Sequence, residues 1–183
     1  MNQLLILPFL LLIVSAIISF GLAIYAWQRR EARGAKSFCL MMVGLTVWLL
    51  SYSLEIITFD LTPRLMWSRM TFFGVTAVPV AWLLFSLEYT GRDKWITRRN
   101  VALLFVEPIA ILILIWTNSY HQLFLHDVLF DASGPIPKVH MMYGPAFFVH
   151  AAYSYLLLLV GTILLGQAFF REKGLYKKQL GIV

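Results

Sequence analysis

Charge is scarce in this chain: of 183 residues only 13% are Asp, Glu, Lys or Arg, and there is a single cysteine, Cys39. One cysteine excludes an intrachain disulfide and any cysteine-cluster metal site. A glycine-rich phosphate loop, a nucleotide motif and a paired nucleophile and base are all missing, so no enzyme class is indicated. No lysine falls inside an apolar run, which excludes a retinal photoreceptor, because that chemistry needs a lysine within the bundle. Internal repeats and low-complexity linkers are absent as well.

What is abundant is apolar surface. Hydrophobic residues make up 60% of the chain and the mean hydropathy is +0.78, far outside the soluble globular range. The sequence therefore reads as an all-α integral membrane protein, a single membrane domain over 1–183. Its net charge of +6 sits in three clusters between apolar runs, a pattern that topology requires and that gives no reason to expect nucleic acid. Five spans are predicted, at about 4–27, 37–59, 65–88, 101–117 and 145–170, each near the ~20 residues that cross a ~30 Å hydrocarbon core. Short loops rich in Lys and Arg stay cytoplasmic, so Arg29 to Lys36, Arg92 to Arg99 and a basic tail at 171–179 place the N-terminus outside and the C-terminus inside. The first span is retained, since Met1-Asn2-Gln3 offers none of the positive charge of a secretory signal. The outer segment 119–144 holds two β-prone runs, Leu123 to Phe130 and Lys138 to Tyr143, around the turn signal Asp131 to Pro137, which predicts a loop or small β-hairpin on the outer face. Leu180 to Val183 reads as the start of a sixth helix, so the chain is expected to be cut short.

Ionisable groups inside a bilayer are functional hypotheses with a partner to be named. Glu55, Arg69 and His150 fall at one expected depth, and Glu55 is predicted to pair with Arg69, so that reversing both charges restores folding lost in either single reversal. Trp48, Tyr52 and Glu55 share a helical face by their spacing, as do His150, Tyr153 and Ser154, giving a polar layer lined with aromatics. Three readings stay open for it: structural glue, a small-molecule ligand pocket opening to the outer leaflet, or a pigment or haem held by His150. A haem held by two histidines is disfavoured, because His121, His126 and His140 all lie in the outer segment. Their spacing, with Asp127, matches no compact zinc signature, so no metal is expected. Glu107 is read as a buried, hydrogen-bonded carboxylate at mid-depth, Glu88 and Arg92 as a local ion pair, and Pro79 and Pro108 as helix kinks.

The chain resembles the N-terminal seven-transmembrane region of bacterial and archaeal histidine kinases. The likeness is carried by Trp48 with Ser51-Tyr52-Ser53-Leu54-Glu55, by Trp67, Phe73-Gly74 and Pro79, and by Trp82 with Phe85-Ser86-Leu87-Glu88-Tyr89-Thr90-Gly91-Arg92. It continues through Pro108, Thr117-Asn118, His121, Tyr143-Gly144-Pro145, Phe147, His150 and Tyr153-Ser154-Tyr155, to Tyr176 and Gln179. The resemblance implies a sensor module in a prokaryotic inner (plasma) membrane, feeding a two-component kinase, with a homo-oligomer or other membrane subunits as partners. A sixth and seventh helix, a phosphoacceptor helix and an ATP-binding domain are not in this sequence, so it is expected either to be part of a longer kinase or to act within a larger assembly. A second function stays open: a small accessory subunit of a respiratory or photosynthetic membrane complex.

Overall fold

A computed structural model describes residues 3–131 and 138–180; side chains are described over 5–126 and 142–170. The elements are α1 (Gln3–Gln28), α2 (Ala35–Ile57), α3 (Leu61–Tyr89), a single 3-10 turn (Asp93–Trp95), α4 (Arg98–Trp116), a one-turn α5 (Asn118–His121), β1 (Leu125–Asp131), β2 (Lys138–Tyr143) and α6 (Pro145–Leu180). Among the described residues, five helices are long and apolar enough to cross a membrane: α1, α2, α3, α4 and the 145–170 part of α6.

Two boundaries differ from expectation. Helix α3 begins at Leu61 rather than 65, because Pro63 sits in its first turn, where a missing N–H leaves no intrahelical bond unmade. Helix α6 does not stop at 170 but takes in the expected basic tail, reaching Leu180 over 36 residues, or about 54 Å. Both α3 and α4 run on as helices through Pro79 and Pro108. Strands β1 and β2 pair antiparallel, Leu125 with Tyr143 and Asp131 with Lys138, where the two β-prone runs were read. Most of the expected turn Asp131 to Pro137 lies outside the described residues, as do 181–183.

Helix α3 is the axis of the bundle. Buried residues make up 56% of its most apolar stretch, against 33% for α2 and at most 17% for the other spans. It joins three apolar clusters: Ala81 with Ala23, Ala26, Met41 and Met42 of α1 and α2; Val80, Leu83, Leu84 and Leu87 with Leu104 and Leu157 of α4 and α6; and Phe72 with Ile111, Ile115 and Phe124 beneath the hairpin. Helix α1 packs on α2 through the small residues Ala16, Ser19, Ala23 and Ala26 and turns its large side chains outward. Small residues are what let helix backbones approach in a bilayer.

Polar groups inside this apolar bundle are satisfied locally. Thr46, Thr71, Thr76 and Ser86 each donate to the carbonyl four residues back, at 2.7 to 3.1 Å. Helix α3 ends at Gly91 (φ 72°), with Arg92 N–H on Leu87 O and Gly91 N–H on Glu88 O, the paired bonds of a Schellman cap. The Thr97 hydroxyl then accepts from Asn100 N–H to cap α4.

Helices α2 and α3 cross most tightly at Gly44 and Gly74. A Cβ on Gly74 would strike the Gly44 carbonyl and lie 2.7 Å from Trp48 Cβ. Gly74→Val is therefore expected to destabilise the protein in detergent by about 1–3 kcal/mol or to abolish folding, the usual consequence of overpacking. Gly21→Ala, where a Cβ meets nothing within 4 Å, is the control that leaves the thermal midpoint unchanged or raised.

Candidate functional site

The polar centre that the fold assembles lies between α4 and α6. His150 Nδ1 stands 2.9 Å from Glu107 Oε1, with the two side chains 4% and 18% exposed. That contact requires one proton between them, either Nδ1–H donating to the carboxylate or a carboxylic acid donating to Nδ1. His150 Nε2 faces Ser154 Oγ at 3.4 Å, one turn along α6, so ligation of a pigment or haem at Nε2 would require that contact to open. Glu107 Oε2 is buried and has no hydrogen-bond partner among the described residues. The ring of Phe72, from α3, meets the His150 ring edge-on at 6.5 Å.

A second link runs one turn away. Pro108 has no N–H, so the carbonyl four residues before it, Leu104 O, loses its intrahelical donor. The Tyr153 hydroxyl donates to that carbonyl at 2.8 Å. Inside hydrocarbon no water can take that place, so the proline on α4 and the tyrosine on α6 form one device. Trp82 makes a comparable tie from α3, its indole N–H donating to Leu158 O at 3.2 Å over Gly161, where a Cβ would stand 2.7 Å from the indole.

The expected polar layer does not assemble as a unit. The Glu55 side chain faces Arg64 and Ser68 of α3, not Arg69. Register explains the correction. Arg64 and Ser68 are about 40° apart round the helix and share the face toward α2, whereas Arg69 turns a further ~100° toward α4 and the hairpin. The earlier start of α3 also sets Arg69 eight residues below its first residue, about 12 Å, while Glu55 is two residues from the end of α2. Arg69 instead borders a cavity of about 60 Å³. Trp48 lies beside Gly74 with 36% of its surface exposed, and Tyr52 is 43% exposed, so neither side chain joins His150. Sequence reasoning passed over Arg64, Ser68 and Phe72; the four-residue spacing of Arg64 and Ser68 was the available signal for the first two.

At the hairpin end, Asn118 holds the strand in place. Its carbonyl oxygen accepts from Phe124 and Leu125 N–H at 3.0 Å, and its amide donates to Leu125 O at 2.9 Å. His121 Nδ1 accepts from Leu123 N–H, and Nε2 lies 3.0 Å from the Thr117 hydroxyl. At the opposite end the expected Glu88–Arg92 pair is replaced: Arg92 donates to Gln167 Oε1 at 3.1 Å, and Glu88 Oε2 is buried without a hydrogen-bond partner among the described residues. The Schellman cap turns the chain at Thr90-Gly91, which takes Arg92 off the α3 face that Glu88 occupies.

Fold and site together define a multi-pass membrane protein whose interior holds proton-bearing links between spans. The family model for the N-terminal 7TM region of histidine kinase matches residues 11–183, nearly the whole sequence, and the chain belongs to that family. It is a histidine kinase membrane sensor region, and the matched region is not a catalytic one. No curated protein and no solved structure matches the chain.

Two outcomes test the geometry. Tyr153→Phe strands a buried carbonyl and is expected to lower stability by about 1–3 kcal/mol; in a Pro108→Ala background, where residue 108 regains its N–H, that loss shrinks. Simple additivity in the double-mutant cycle, measured by unfolding in detergent, would refute the link. Charge reversal at Glu55 is expected to be rescued by reversal at Arg64 and not at Arg69, read as the yield of folded protein.

Proposed function

We propose that this chain is a signal-input region that passes a change at the hairpin end along α6 to the basic end. It stands as a single membrane domain in a prokaryotic plasma membrane, N-terminus outside and C-terminus cytoplasmic. Support for that orientation comes from the basic loops: Arg30, Arg33 and Lys36 of the first connection border one groove with Asp93 of the second, so both lie at one end. The observation that carries the reading is the continuity of α6. One helix bears His150, Tyr153 and Ser154, all engaged near its start, and runs unbroken to Leu180. A rigid element tied to α4 by two polar links has two definable arrangements there, links made and links broken, and a stimulus acts by its differential affinity for them.

The proton shared by Glu107 and His150 makes this pair the natural switch point. With the chain joined at Val183 to a cytoplasmic histidine kinase core, Glu107→Gln and His150→Phe are expected to shift autophosphorylation in the same direction by at least ~5-fold, the low end of allosteric coupling. Leu103→Ala, at a position 60% exposed on the same helix, leaves it unchanged. Unaltered output in both link variants would overturn the reading. Native mass spectrometry from the protein's own membranes supplies a second check: stable association with larger, coloured subunits would make it an accessory subunit instead.

A further inference from the structure

Arg69 is a cation inside a membrane span. Helix α3, at 29 residues, is about 43 Å long and overshoots a ~30 Å core by about 7 Å at each end when centred, which sets Arg69 roughly 5 Å below the hydrocarbon edge. Among the described residues its guanidinium has no hydrogen-bond or ion-pair partner. Of the described carboxylates in the neighbouring spans, Glu107 is directed to His150 and Glu55 lies toward Arg64.

Beside this guanidinium lies the cavity of about 60 Å³, walled by Phe72, Ile115, Phe124 and Leu125. Of its other polar groups, Asn118 is engaged by the backbone of Phe124 and Leu125, and the Ser68 hydroxyl is turned toward Glu55 as well as bordering the cavity. Among the described residues, Arg69 is thus the charged donor at this space without a hydrogen-bond or ion-pair partner. At roughly 10–15 Å³ per water, the cavity holds a few waters or one compact oxyanion group. It is too small for a whole organic ligand, which needs about 300 Å³ or more.

We propose that Arg69 binds a single phosphate or carboxylate group seated in this cavity. A guanidinium presents forked donors that match such oxyanions, and the low dielectric at this depth strengthens the contact. The group is either the head of an amphiphile whose tail lies in the bilayer or a free anion from the water. Phe72 forms the wall between this cavity and His150, 6.5 Å from the imidazole and 4.9 Å from Phe124 by ring centroids. Occupancy therefore bears on the Glu107–His150 contact, a coupling that rests on the input reading above, whereas the binding itself does not.

The test uses the purified chain in dodecyl maltoside, with the thermal midpoint read during titration with dodecyl phosphate, inorganic phosphate and dodecanol. Dodecyl phosphate is expected to raise the midpoint saturably, and dodecanol is not. Arg69→Gln weakens the apparent affinity by roughly 10- to 100-fold, the loss expected for a charged hydrogen bond, and Arg69→Lys by less. Ile115→Phe, which fills the cavity and keeps the charge, abolishes the shift and serves where Arg69→Gln does not fold. A shift with inorganic phosphate as well supports the site and identifies a water-borne anion; a shift with dodecyl phosphate alone supports it and identifies an amphiphile. No shift with either phosphate, or wild-type affinity in both Arg69→Gln and Ile115→Phe, overturns the proposal. Binding that is intact while the fused kinase does not respond keeps the site and removes only its coupling to output.

Discussion

Hydrocarbon offers no water to a backbone carbonyl, and the arrangement of this bundle follows from that constraint. A proline in the middle of α4 exposes Leu104 O, and the group that meets it comes from another helix, the Tyr153 hydroxyl of α6. In a soluble protein a water would serve, and the two helices would be free of each other. Here the deficit on one span is met by the donor on the next, and the Glu107–His150 contact one turn away adds a second tie between the same two helices.

Around that constraint the bundle divides into a tightly packed part and a loosely packed one. Helices α2 and α3 meet at Gly44 and Gly74, where backbone touches backbone and no polar group is needed. Helix α1 rests on α2 through alanines and a serine, with its bulk toward lipid. The contact of α4 with α6 carries the two polar links, with Leu104 and Leu157 beside them. Dispersion packing is not easily undone in steps, whereas a hydrogen bond that carries a proton has two states. The contact of α4 with α6 is accordingly the one in this bundle that rests on hydrogen bonds able to be made and broken.

Division of labour between two arginines shows how local register sets chemistry. Arg64 and Arg69 are five residues apart on one helix, yet Arg64 is the charge that acts on Glu55 and Arg69 borders a cavity further along the helix. About 1.4 turns, a net rotation of ~140°, separate the two positions. Phe72, one turn beyond Ser68, lies against both the cavity and His150, so the two polar regions of the bundle share a wall.

Much of this was legible in the residues. Apolar run length revealed the five spans, because the thickness of a bilayer leaves little choice of length. The β-prone runs around Asp131 to Pro137 marked the hairpin, and Glu107, His150, Tyr153 and Ser154 stood out as polar groups in apolar surroundings. Pro108 was read there as a kink; that α4 runs on through it, leaving Leu104 O to another helix, is a finding of the structure. Which residue answers each need was decided only by tertiary structure. Glu55 lies toward Arg64 rather than Arg69 because the start of α3 at Leu61 sets the register of α2 and α3, and Glu107 meets His150 because α4 and α6, 43 residues apart in the chain at those positions, lie side by side. Composition and spacing act along one helix, but a partner across helices depends on rotation and depth, and a shift of one residue turns a side chain by ~100° away from its neighbour.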